Sequence, residues 1–250
     1  MNKRVAIVTG ASSGIGASTA LRLASRYSGL VLHARKSADA LERVADEARA
    51  KGAEVTTVLG DLTDDSLGDA LIDAVSKRFG RLDAVVANAG FPILKHFSDG
   101  TSADLDRAFK ANTFSFFSIA KATDQLLRQS PSGRIVAVGS FTSHVFRTDV
   151  RQFPMSAASK GALEIAAKSL ALHLAGSGIT VNCVVPGFVQ KDNGTEDSVS
   201  KDELIQTRSH IPLGRIGRPN DIAAAIEFLI SEDAGYITGQ LLHVSGGLVI

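Results

Sequence analysis

The residues with the plainest chemical purpose stand near the start of the chain. A short apolar run, Val5 to Val8, leads into Thr9-Gly10-Ala11-Ser12-Ser13-Gly14-Ile15-Gly16, and a helical pattern follows from Ala17 to Leu23. Glycines allow a tight turn and a close backbone approach to a pyrophosphate. The helix N-terminus behind them offers free N–H groups and the positive end of its dipole. The turn therefore predicts a dinucleotide site built from Gly10, Ser12, Ser13, Gly14, Ile15 and Gly16. A second apolar run ends in Leu32-His33-Ala34-Arg35-Lys36. An acid here would hydrogen-bond the adenosine ribose 2′-hydroxyl and select NAD, whereas an arginine accommodates the 2′-phosphate of NADP. No acid is present, and the guanidinium of Arg35 can grip a phosphate with two parallel bonds, so NADP is the expected cofactor ahead of NAD.

Composition narrows the remaining chemistry. Cys183 is the only cysteine among 250 residues, so it can form no intrachain disulfide and has no partner for a thiolate metal site. The six histidines are scattered without ligand spacing, and no metal is expected. A formal net charge of +1 gives no global field that favours nucleic acid or an anionic membrane. The N-terminal apolar run is too short for a signal-peptide core, and no stretch nears the ~20 apolar residues needed to span a bilayer. A cytoplasmic location is the expectation.

The elements that must hold this turn are also readable. Strands are expected at Val5–Val8, Leu30–Ala34, Val55–Leu59, Ala84–Ala87, Ile135–Val138, Thr180–Val185 and Leu241–Val244. Most are continuous apolar runs, as strands covered on both faces require. Between them, Leu67, Leu71, Val75 and Phe79 recur every four residues and share a helical face. Long helices are expected over Ser102–Arg128, with Leu105, Phe109, Asn112 and Phe116 on one stripe, and over Met155–Ala175; Asp221–Ile230 is the last. The alternation predicts one α/β domain over residues 1–250: a doubly wound parallel sheet of about seven strands with helices on both faces, a Rossmann fold. The long polar segment Gln190–His210 is expected to act as a substrate lid.

The glycine spacing, Gly-x-x-x-Gly-x-Gly, differs from the general dinucleotide fingerprint and resembles that of the short-chain dehydrogenase/reductase family, in particular its 3-oxoacyl-ACP reductase-like members. Further residues match the family in order and spacing. Asp61-Leu62 resembles the pair that contacts adenine, and Asn88-Ala89-Gly90 the motif closing the fourth strand. Asn112 matches the helix asparagine, Ser140 the catalytic serine, and Lys160 in Ala-Ser-Lys-Gly-Ala the active-site lysine. Pro186-Gly187 follows the sixth strand, with Val189 just beyond, at cofactor-contacting positions. Arg218-Pro219-Asn220-Asp221-Ile222-Ala223, Tyr236-Ile237-Thr238-Gly239-Gln240 and Ser245-Gly246-Gly247 complete the likeness.

The resemblance implies hydride transfer between a nicotinamide and the carbon of a small carbonyl or alcohol. In that family serine binds the substrate oxygen, lysine binds the ribose hydroxyls, asparagine holds a relay water, and a tyrosine four residues before the lysine gives the proton. Here that position is Ser156, and the only tyrosines are Tyr27 and Tyr236. An alkyl hydroxyl is a far weaker acid than a phenol of pKa about 10 and is also shorter, so an atypical proton donor is expected. Ser156 is kept among the catalytic candidates, and His144 is a further candidate for supplying a proton near neutral pH. Ser140 lies 16 residues before position 156 and Ser143 lies 13 before it; strand position favours Ser140, spacing favours Ser143. Lys191 stands where relatives often carry threonine, either reaching a phosphate or facing solvent. The main reading is an NADP-dependent oxidoreductase; the alternative is a cofactor-binding protein, a sensor or partner subunit, with impaired catalysis. A homotetramer is implied, its two long helices pairing between subunits, since Phe114, Phe116 and Phe117 cannot all face one core. Phe91, Phe97, Phe141, Phe146, Phe153 and Phe188 are expected to make the substrate pocket apolar.

Overall fold

The computed structural model describes residues 4–150, 152–190 and 206–250. Lys191, Arg151 and most of the expected lid lie outside the described residues.

Seven parallel strands form one sheet: β1 (Val5–Thr9), β2 (Gly29–Ala34), β3 (Glu54–Leu59), β4 (Ala84–Ala87), β5 (Arg134–Val138), β6 (Thr180–Pro186) and β7 (Leu241–Val244). Their spatial order is β3-β2-β1-β4-β5-β6-β7, so the chain reverses direction across the sheet between β1 and β4. Among the described residues they are accompanied by helices α1 (Gly14–Leu23), α2 (Ala38–Ala50), α3 (Leu67–Arg78), α4 (Ser102–Phe109), α5 (Ser115–Arg128), α6 (Pro154–Ala175) and α7 (Pro219–Leu229). All expected strands are present to within two residues. Helix α2 was not anticipated.

Alternate residues of each strand feed two separate cores, as the pleat dictates. On β1, Ala6 and Val8 join Leu23 of α1, Leu41 and Ala45 of α2, and Ile226 of α7. Val5 and Ile7 point the other way, toward Leu71 of α3, Phe116 of α5 and Leu163 of α6. Both faces are thereby covered. The central strands read as unbroken apolar runs because neither face meets water. Strand β3 lies at the edge and is correspondingly polar, with Thr56 and Thr57 in its middle.

The expected helix Ser102–Arg128 is interrupted. A π-helical turn over Lys110–Phe114 separates α4 from α5, and Asn112 lies in that turn. Such a turn inserts an extra residue into the i→i−4 ladder and re-aims the side chains it carries. Thr113 Oγ1 donates to Ser159 O at 2.8 Å and Asn112 Nδ2 donates to Ser159 Oγ at 2.9 Å, docking the turn on the start of α6.

Candidate active site

The C-terminal ends of β1 and β4 border the point where strand order reverses, the usual ligand crevice of an open α/β sheet. A cleft of about 420 Å³ opens there. It is lined by Gly10, Ser12, Ser13 and Ile15 of the glycine turn, by Arg35 with Lys36 after β2, by Asp61 and Leu62 after β3, and by Asn88, Ala89 and Gly90 after β4. Ten of the residues expected to bind cofactor thus share one crevice.

Each glycine in the turn has a separate task. Gly10 (φ +67°) and Gly14 (φ +57°) occupy the left-handed region, and Gly14 faces open space. Gly16 is held by contact: a Cβ there would lie 2.1 Å from Gly10 O and 2.6 Å from Asn88 Nδ2. The turn is therefore clamped from beneath by β4. Asn88 Nδ2 donates to Thr9 O (2.9 Å) and Gly10 O (3.3 Å). Thr9 Oγ1 accepts the N–H groups of Asn88 (3.1 Å) and Ala89 (3.0 Å).

His33, not singled out from the sequence, supports the same turn from β2. Its Nδ1 accepts Gly10 N–H at 3.4 Å, which leaves Nε2 to donate to Gly60 O at 2.9 Å. Burial holds its pKa below the ordinary histidine value, consistent with this neutral tautomer. Asp61 is fixed by Thr63, whose N–H and hydroxyl both donate to Oδ1 at 2.9 Å; those bonds keep its carboxyl below the usual range.

Gly90, at the border of the cleft, lies against two of the expected catalytic groups. A Cβ on Gly90 would sit 2.6 Å from Asn112 Oδ1 and 3.1 Å from Lys160 Nζ, so both side chains face the space that this glycine leaves clear. Asn112 Oδ1 is buried without a hydrogen-bond partner, an uncommon state for a carbonyl oxygen. Lys160 Nζ donates to Val138 O at 2.7 Å, and burial pulls its pKa down to about 8. A glycine cradle at the phosphate turn and an orphaned oxygen beside a lysine together fit a nicotinamide dinucleotide laid from Arg35 to Lys160.

Ser140 lies two residues beyond β5 and caps the short 3-10 turn Phe141–Ser143, its Oγ accepting Thr142 N–H at 3.3 Å and pairing with Thr142 Oγ1 at 2.8 Å. Ser143 Oγ donates instead to Ala157 O in the first turn of α6, at 3.0 Å. The lysine and the serine at the strand end are thus neighbours across Val138. Ser156 is tied to the loop after β4. Its hydroxyl, buried to 5% exposure, accepts Ile93 N–H at 2.7 Å and contacts Ile93 O at 3.4 Å. It fastens the loop after β4 to α6.

Pro186, Gly187 and Val189 sit at the end of β6, outside the lining of this cleft. Gly187 is there because β7 passes against it: a Cβ would meet Ser245 Cα at 2.9 Å. Of the expected pocket phenylalanines, Phe91 lines the cleft and Phe141 stacks on Phe188 with ring centres 4.5 Å apart. Phe97 and Phe146 are exposed.

Similarity to known proteins extends over almost the whole chain. The family model described as enoyl-(acyl carrier protein) reductase matches residues 10–249. A probable tetrahydroxynaphthalene reductase of Zymoseptoria tritici is 34% identical over 260 residues, covering 98% of this chain and 94% of the relative. The 3-oxoacyl-(acyl-carrier-protein) reductase FabG of Staphylococcus aureus is 37% identical over 244 residues, with 97% of each chain covered. Among solved structures, YwfH, an NADPH-dependent reductase involved in bacilysin biosynthesis, superposes with a TM-score of 0.91 at 30% identity and 99% coverage of both chains. With its strand order, its phosphate turn and a match running almost end to end, the chain belongs to the short-chain dehydrogenase/reductase family of nicotinamide-dependent oxidoreductases.

Proposed function

We propose that this protein is an NADPH-dependent reductase of small carbonyl compounds, working also in the alcohol-oxidising direction, with an altered source for the transferred proton. The observation that carries the reading is that Gly90, which lines the phosphate cleft, also lies against Lys160 and Asn112. Arg35 and Lys36 line the adenosine end of that cleft, where a 2′-phosphate would need them, and the similar YwfH is described as NADPH-dependent.

When bound, the nicotinamide supplies or accepts the hydride. The chain's own residues do the rest. Ser140 can donate its hydroxyl hydrogen to the carbonyl oxygen, because Thr142 can act as the donor within the Ser140–Thr142 pair. Lys160 binds the ribose and places a positive charge beside the oxygen that becomes negative. Its pKa of about 8 lets it release a proton near neutrality. Asn112 Oδ1, unpartnered and buried, holds the water through which that proton passes to the substrate oxygen. Ser156 contributes through the loop it fastens at Ile93. The subunits assemble as a tetramer in this reading, since Phe114 at the end of the π-helical turn and Phe117 in the first turn of α5, at 54% and 51% exposure, and Ile165 and Leu172 on α6 leave apolar faces uncovered.

Purified protein mixed with NADPH and a panel of ketones, aldehydes and quinones tests the activity by loss of nicotinamide absorbance. Consumption with a preference for NADPH over NADH is expected. Tight NADPH binding with no consumption on any member would instead support a cofactor-binding protein that does not turn over. Light scattering after gel filtration is expected to give four subunits, and a monomer would overturn the assembly.

A further inference from the structure

One helical turn beyond Lys160, α6 carries Glu164, a carboxylate with 2% exposure. Hydride transfer has no evident use for an acid there, and a buried charge is costly unless it is paired and hydrogen-bonded. Its two oxygens have distinct partners. Oε1 accepts the backbone N–H of Ser140 at 3.3 Å, and Oε2 pairs with His144 Nε2 at 2.7 Å.

Those partners are the two ends of one short element. Ser140 is the N-cap and His144 the C-cap of the 3-10 turn Phe141–Ser143. A single carboxylate therefore grips both ends of the turn that presents the Ser140 hydroxyl. The strand end runs close over it: a Cβ on Gly139 would stand 2.4 Å from Glu164 Oε1, so only glycine lets β5 pass at this height. From β7, His243 packs edge-on against His144, with ring centres 4.6 Å apart and planes at 87°, and closes the imidazole in from the other side. Lys160 on the same helix face supplies the opposite charge, and Cys183 on β6 borders the group, its thiol pushed up to about 12 by burial and by the Glu164 charge.

We infer that Glu164 is a positioning residue of the active site: with His144 as its second anchor, it clamps the Ser140 turn and fixes the direction of the Ser140 hydroxyl. The inference deepens the function proposed above and rests on Ser140 holding the substrate oxygen. It accounts for the extended loop after β5, which brings His144 back to α6.

The test uses the full-length protein carrying Glu164→Gln and Glu164→Leu, each alone and combined with Ser140→Ala. Kinetics use NADPH and the most rapidly reduced quinone of the panel. Loss of alignment by roughly an ångström costs up to about 100-fold in rate. Glu164→Leu is therefore expected to lower kcat about 100-fold and Glu164→Gln, which keeps one acceptor, roughly tenfold. NADPH affinity and quinone KM stay within about twofold. In the Ser140→Ala background neither change costs more, because a residue that acts through Ser140 has nothing left to position. An unchanged kcat, or an equal loss with and without Ser140, overturns the inference. Crystal structures of the wild type and Glu164→Leu give an answer independent of turnover. A displaced Ser140 Oγ supports the clamp; an unmoved one overturns it. A wild type that consumes no NADPH sinks the proposed function instead and leaves the structural comparison to decide this point.

Discussion

The two halves of the crevice have been treated differently. The adenosine half, from Gly10 to Gly90, is locked at several points by backbone contacts: Gly16 against Gly10, Asn88 under the turn, Thr9 bridging β1 and the end of β4. The nicotinamide half holds Ser140, Asn112 and Lys160, Ser156 at the position the resemblance gives to a tyrosine, and the Glu164–His144 pair. The contrast teaches that holding the nucleotide and moving the proton are separable. Binding relies on backbone N–H groups that no side-chain change nearby removes. In the proposed reaction, proton transfer depends on one acidic hydrogen at one place, so it is open to change by a single substitution.

The comparison breaks most severely at Gly16. A Gly16→Val change drives side-chain atoms into Gly10 O, already 2.1 Å from a Cβ. Overpacking of this kind costs about 2–3 kcal/mol, and if it falls on the phosphate turn NADPH affinity drops roughly 100-fold by calorimetry. Next comes Arg35→Ala, which should cost NADPH about 1.5–3 kcal/mol while leaving NADH almost untouched, measured as the ratio of their dissociation constants. An unchanged ratio would show that Arg35 faces solvent.

The nicotinamide half gives a smaller effect of opposite sign. The Lys160 pKa is about 8 in the fold against ~10.4 in an unfolded chain. The fold thus disfavours the ammonium. The resulting penalty is complete below pH ~8 and is relieved as pH rises from ~8 to ~10.4. Lys160→Met should therefore stabilise the nucleotide-free protein at pH 7, on the order of 2 kcal/mol, while abolishing turnover. Thermal melts should show the gain shrinking toward pH 10. The smallest change is expected from Ser156→Ala. It strands the Ile93 N–H and should cost about 1–2 kcal/mol of stability, with kcat lowered less than about threefold. A kcat loss of 100-fold or more with an unchanged melt would instead make Ser156 a direct proton donor.

His33 shows why part of the adenosine site escaped the sequence. It stands in an apolar strand as any interior residue would, and its partners Gly10 and Gly60 lie 23 and 27 positions away. Glu164 was hidden for a similar reason: on a helix whose other residues alternate between buried and exposed, its burial is decided by Gly139 and His144, both on the far side of α6. The π-turn at Asn112 was also hidden. Residues 102–128 read as one continuous helical stripe, and only docking on Ser159 reveals the extra residue.

Local patterns were enough for the strands, most of the helices and the glycine turn, because each depends on residues close together in the chain: apolar runs buried on both faces, and glycines where the backbone turns tightly between strand and helix. Tertiary packing alone decided what Ser156 bonds to, that Ser143 bonds Ala157 on α6 while Ser140 pairs with Thr142, and that Glu164 is buried beneath the serine turn. Those outcomes arise where β4, β5 and α6 converge, and the hydrogen-bond partners there are set by distances between segments that no spacing along the chain encodes.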